Sequence, residues 1–193
     1  MKKIFQIITI LLFVSGSFSF PQSENKLIHI SLGAKNNFNN NDFHHYWESV
    51  IGFGTEFRFE HAIGELGGGL SIMRFDKKIE SAKSFYGVDY YFLYRNSFRL
   101  VGNTEIILGF DAGIFEFRFD DDGDLQSSAE KNEREFAIKI MTGLSYAFSD
   151  SWKVELTTAY NHIYTKKKIE LFYLNLGLIK SFSAPEWLKD FLE

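Results

Sequence analysis

Among the side chains that could do chemistry, His162 and Glu170 have the most suggestive spacing. They flank Thr165-Lys166-Lys167, and a three-residue loop there would set residue 164 opposite 168 and residue 162 opposite 170. Side chains directly opposed across two antiparallel strands are close enough to bond, so a base and a carboxylate would share one face. Such a pair prepares acyl transfer only when an attacking hydroxyl or thiol stands beside it. Tyr164 lies two residues beyond His162, and Thr165 is one place out of phase or in the loop. A phenol, with a pKa of ~10 and a bulky ring, is a poor acyl nucleophile. The residues therefore favour a hydrogen-bonding histidine, with His162 and Glu170 catalytic only under an alternative reading.

Other constellations are weaker. Asp120-Asp121-Asp122-Gly123-Asp124 begins like a calcium loop, but Leu125 and Lys131 stand where glycine and glutamate are required. His44 and His45 are adjacent on a loop, which is poor metal-ligand spacing. Gly67-Gly68-Gly69 is followed by neither a helix nor a lysine, so close strand packing explains it better than phosphate binding. No metal and no cofactor is expected.

The element that must position the rest is Glu135 to Phe148. Phe136, Ile138, Ile140, Thr142, Leu144, Tyr146 and Phe148 alternate with Glu135, Ala137, Lys139, Met141, Gly143, Ser145 and Ala147. A period of two is a strand with two unlike faces, one greasy and one small, polar or charged. The pattern recurs in Lys26 to Lys35, Trp47 to Glu60, Glu65 to Phe75, Phe85 to Arg95, Thr104 to Phe119, Trp152 to Tyr164 and a last strand ending near Phe182. In Thr104 to Phe119 the phase reads as slipping, since Phe115, Phe117 and Phe119 are odd-numbered where Ile106 to Ile114 are even. A bulge near Gly113 is the simplest expectation.

Eight strands can close a ring without edges. His61 to Gly64 and Ser149 to Ser151 read as tight turns, and Asn96 to Asn103 as a somewhat longer connection. Between them fall polar loops, the longest from Asp120 to Asn132. The wet face carries Glu56, Arg58, Glu65, Asp89, Arg95, Glu105, Asp111, Lys139, Lys153 and Glu155, with both signs at mid-strand depth. A narrow eight-stranded interior suits that small, Gly-rich face, and the greasy face then meets lipid. A water-soluble barrel would need the bulky face inside. Paired charges would plug the lumen, because buried charges require partners. On this reading an arginine at Leu144 or Leu174 is costly, while a small polar residue at Gly143 or Ser145 is mild.

Composition agrees. The 193 residues include 22 Phe, 18% aromatics and only 2 Pro, which suits pleated sheet. The net charge of −4 is mixed in sign and offers no basic stripe for nucleic acid. No Cys is present, excluding disulfides and thiolate chemistry. Met1-Lys2-Lys3, the apolar run Ile4 to Val14 and Ser15 to Ser19 form a secretory signal peptide over residues 1–19, with the mature chain expected from Phe20. The apolar run falls short of the ~20 residues a spanning helix needs. Residues 20–183 are expected to form the barrel and 184–193 an amphipathic tail. Ser183 and Glu186 have capping-box spacing, and Trp187, Leu188, Phe191 and Leu192 share one helical face.

The pattern and strand count resemble the small eight-stranded bacterial outer-membrane barrels of the OmpX, OmpW and OmpA-domain type. Phe182 matches their terminal aromatic, although this chain continues beyond it. The resemblance implies an all-β, antiparallel, up-and-down transmembrane barrel with a short C-terminal helix, in the outer membrane of a Gram-negative bacterium. It also implies a structural, surface-interaction or minor-permeability role. Outer-membrane lipid and lipopolysaccharide are the expected partners, with periplasmic chaperones and the barrel-assembly machinery during biogenesis. His162 with Glu170 also resembles the base and acid of lipid A deacylase barrels. Their His-x-Ser-Asn signature reads here His162-Ile163-Tyr164-Thr165, with Tyr164 in the serine's place.

Overall fold

The computed structural model describes residues 27–38, 42–120, 132–166 and 168–186. Its strands are β1 (Leu27–Asn37), β2 (Trp47–Ser49), β3 (Gly52–His61), β4 (Gly64–Lys77), β5 (Phe85–Val101), β6 (Thr104–Phe119), β7 (Asn132–Ser149), β8 (Trp152–Ile163) and β9 (Ile169–Ser183), with one short helix, α1 (Asp42–Tyr46). The order β4-β3-β1-β9-β8-β7-β6-β5 closes on itself, because β5 also pairs β4. β2 prolongs the line of β3 along β4, from Trp47 opposite Lys77 to Ser49 opposite Phe75. Across the break, the Val50 amide donates to the Arg74 carbonyl at 2.9 Å. The ring therefore has eight staves. Every stave pairs antiparallel with its neighbours in sequence, and β1 closes onto β9 from Leu27–Ser183 to Asn37–Tyr173.

Ring closure turns the two faces of each strand into an inside and an outside. In β7, Phe136, Ile140, Leu144, Tyr146 and Phe148 face out and are 47–60% exposed, while Ala137, Lys139, Met141 and Ser145 are buried within. Apolar side chains cover the outer wall on every stave, a surface far larger than the patches of soluble monomers. The chain folds as a transmembrane-type β-barrel.

Two expectations need correction. β6 carries no bulge at Gly113: Tyr91–Gly113 and Asp89–Phe115 continue one register with β5, and Gly113–Ala137 and Phe115–Glu135 continue another with β7. Phe115 and Phe117 are buried inside the barrel, on the same face as Asp111. What changes along β6 is the lining of the lumen, from charged to aromatic, and Glu116 and Arg118 point outward. The connection after β5 is also shorter than expected, since β5 runs on to Val101 and only Gly102-Asn103 turn. Gly102 takes φ +56°, in the left-handed region that glycine enters without strain. All three connections at this end are then two residues long, against longer loops at the other. The register irregularities lie beside these turns, at Arg99/Val101 and Ala147/Ser149. The signal peptide, Asp121 to Asp124 and the tail beyond Glu186 lie outside the described residues.

Candidate functional site

The half of the lumen nearer the turns holds a lattice of ion pairs. Arg58 on β3 reaches Glu65 on β4 at 3.0 Å and Glu155 on β8 at 3.1 Å, with Glu56 at 3.7 Å. Arg95 on β5 pairs with Glu56 at 3.1 Å and, in direct contact, with Asp111 on β6. Lys139 on β7 bridges Asp89 at 2.8 Å and Asp111 at 3.2 Å, and Lys153 meets Glu105 at 3.2 Å. The Tyr91 hydroxyl donates to Glu56 at 3.0 Å. All ten charges expected on the wet face thus point inward, and each has a partner of opposite sign. The branched guanidinium explains why two arginines hold the centre, since each can serve carboxylates on several strands at once.

His29 and Lys35 complete this layer from β1. His29 shares a 2.9 Å hydrogen bond with Ser181 and lies 3.5 Å from Glu60. Lys35 donates to Ser71 and stands 4.8 Å above the Tyr173 ring. Glycine makes room for these long side chains: a Cβ at Gly69 would fall 2.5 Å from the Tyr91 ring, and one at Gly109 would fall 2.7 Å from the Arg95 stem. A cavity of about 70 Å³ remains, bordered by Lys35, Glu56, Arg95, Asp111, Lys139 and Glu155. Charged groups and apolar atoms share its lining, and it has room for a few water molecules.

Towards the loops the lining becomes aromatic. Phe75 and Phe85 stack at 4.9 Å, Phe115 and Phe117 meet at 4.8 Å, and Phe85 contacts Phe117 at 5.3 Å. α1 sets Phe43 edge-on to Phe75 at 5.3 Å and beside Trp47 at 4.9 Å. The Trp47 indole donates to the Lys83 carbonyl at 2.8 Å, tying the loop after β4 to the same cap. Sequence reasoning misses this layer, because it sends every greasy residue of a barrel strand to the lipid. The odd numbering of Phe115, Phe117 and Phe119 is the available signal.

On the outer wall, β8 and β9 pair as the loop length implies, with His162 opposite Glu170. His162 Nδ1 lies 3.6 Å from Glu170 Oε1. Its ring packs against Tyr164 at 4.6 Å, and Tyr160 also hydrogen-bonds Glu170. Thr165 lies in the loop, its hydroxyl buried without a hydrogen-bond partner among the described residues. The pair can hold a proton or contact a polar group, but its oxygen neighbours are phenols.

A second outward cluster crosses β4 to β7 just below the loops. Arg74 reaches Asp76 at 2.8 Å and Asp120 at 2.5 Å and lies 4.7 Å over Tyr86. Asp120, beyond the end of β6, is held below the usual carboxylate range by the Arg74 hydrogen bonds. Arg118 and Arg134 flank Glu116 at 3.1 Å and 3.5 Å. Strand periodicity alone assigns these residues no role.

With this geometry in place, solved structures supply a likeness. The Neisserial surface protein A aligns with a TM-score of 0.52 at 15% identity, covering 81% of this chain and 97% of that one. The fold is that of the small outer-membrane barrels. The N-terminal β-barrel domain of Pseudomonas aeruginosa OprF aligns with a TM-score of 0.52 at 14% identity, covering 83% of this chain and all of that domain. Ail, the attachment invasion locus protein of Yersinia pestis, gives the same TM-score, identity and coverage of this chain. No protein-family model and no curated protein matches the chain. Nothing in these likenesses supports the deacylase resemblance of His162 and Glu170.

Proposed function

We propose that the chain is an outer-membrane barrel with an occluded lumen, serving an envelope-structural or surface-interaction role through its loops and outer wall. The observation that carries this reading is the apolar wall, continuous around a closed ring whose charges all but vanish from mid-wall and reappear paired inside. Residues 1–19 supply the export signal this destination requires. The three tight turns then face the periplasm and the four loops face outward, the usual asymmetry of such barrels. Periplasmic chaperones and the assembly machinery would deliver the chain, and lipopolysaccharide would surround it.

Occlusion rests on two stacked layers, ion pairs below and aromatics above. Ions would have to break buried charge pairs to pass, which costs several kcal/mol for each charge left alone. His162 and Glu170 are read as a headgroup-level contact among tyrosines, because an acyl-transfer site lacks its attacking oxygen there. The test is refolding of the mature chain into detergent micelles and lipid bilayers. The expected result is heat-modifiable migration on gels and no porin-sized conductance across planar bilayers. A soluble monomer formed without detergent would overturn the membrane reading, and large steady conductance would overturn occlusion.

A further inference from the structure

Glu116 on β6 and Arg134 on β7 are directly opposed in register, and Arg118 is two residues further along β6 on the same outward face. The Glu116 carboxylate is only 3% exposed and is wedged between the two guanidiniums, whose side chains are 48% and 70% exposed. Arg118 Nη2 also donates to the Tyr90 hydroxyl at 3.1 Å. Two cations thus share one carboxylate, leaving an excess positive charge at the β6–β7 end of this cluster. Arg74 differs, since Asp76 and Asp120 both bind it and leave one negative charge in excess on the β4 side. Among the described residues, these contacts use one terminal nitrogen of Arg118 and of Arg134, out of five N–H donors on each.

Directly below, towards mid-wall, Ile114, Phe136 and Ile140 are 42–60% exposed. A cationic pair above a greasy wall has the layout of a lipid in reverse, with anionic group over acyl chain. Planar guanidiniums match phosphate oxygens through paired, charge-assisted hydrogen bonds. Tyr90 supplies an amphipathic ring at the same depth. We infer that Arg118 and Arg134, oriented by Glu116 between them, seat a phosphate-bearing lipid headgroup of the leaflet on the loop side, its acyl chains lying on the β6–β7 wall. Glu116 is a positioning residue: it holds the two arginines at a fixed spacing and keeps them from turning aside. This inference rests on the membrane reading above.

The test uses the refolded mature chain in phosphocholine nanodiscs carrying a small fraction of lipid A, phosphorylated or dephosphorylated, with retained lipid counted by native mass spectrometry. The phosphorylated form should be retained about tenfold over the dephosphorylated one, the scale of one or two charge-assisted hydrogen bonds. Arg118→Ala/Arg134→Ala should erase that preference, while Arg99→Ala, exposed near the turn end of β5, should leave it intact. Arg118→Gln/Arg134→Gln should erase it equally and serves in place of the alanine pair if that pair fails to fold. Equal retention of both lipids, or a preference that survives either double variant, overturns the seat. So does displacement of the lipid by an equal concentration of inorganic phosphate, which would identify a free anion site. A chain that never enters the nanodisc refutes the membrane reading itself, whereas entry without selectivity refutes only the seat.

Discussion

Replacing Arg58 by Met removes the cation that three carboxylates share. Breaking a buried ion pair from one side costs about 3–5 kcal/mol, because the remaining charge is left without compensation. The surroundings place this case near the lower bound. Glu56 keeps Arg95 at 3.1 Å and the Tyr91 hydroxyl at 3.0 Å, and Glu65 keeps His29 at 3.7 Å. Glu155 loses its ion pair among the described residues and Glu65 keeps only the histidine contact, but Glu155 borders the cavity of about 70 Å³, where water can solvate it. We therefore expect Arg58→Met to cost about 3 kcal/mol. Adding Glu155→Gln removes the orphaned charge and should restore about 1–2 kcal/mol, a coupling typical of residues in direct contact. Urea-induced unfolding from lipid vesicles, followed by tryptophan fluorescence, reads both numbers. A loss below about 1 kcal/mol for Arg58→Met, or strict additivity with Glu155→Gln, would refute the reasoning. The lumen would then be wet enough to solvate its acids.

On the outer wall, Leu144→Arg or Leu174→Arg should cost about 2–4 kcal/mol in the same assay, because the charge meets hydrocarbon near the midplane. Ser145→Ala on the inner face should be mild, but Gly143→Ser should not. Its Cβ would fall 2.3 Å from the Leu156 carbonyl oxygen, so the expectation that a small polar residue is mild there fails at Gly143. Phe43→Ala should cost up to about 3 kcal/mol and raise protease cleavage in the loop carrying α1, since it empties the centre of the aromatic cap. Lipid A incubated with the refolded protein should keep its acyl chains by mass spectrometry, and acyl loss abolished by His162→Ala would establish hydrolysis instead.

Much of the architecture is a local property and is legible without coordinates. A period of two reports a strand directly, and repeated eight times with tight turns it leaves a closed barrel as the economical arrangement. The pairing of His162 with Glu170 is equally local, because a short loop sets the register on either side of it. The sorting of Arg58, Arg95, Asp111 and Lys139 into the lumen follows from the size of an eight-stranded ring, which admits small residues and a few paired charges.

Alternation, however, separates two faces without saying which encloses the lumen at each height. Phe115 and Phe117 keep the inward parity of Asp111, and only the unbroken pairing of β6 with both neighbours places them inside. The same register sends Glu116, Arg118 and Arg134 out to the wall, where a sequence window sees only scattered charges. Partner choice in the lumen is less local still. Arg58 and Glu155 are 97 residues apart and meet because ring closure through β1 and β9 brings β3 and β8 around the same lumen. Strand periodicity is set by neighbouring residues along the chain, but which carboxylate neutralises which cation is set by closure, and closure is a property of the whole barrel.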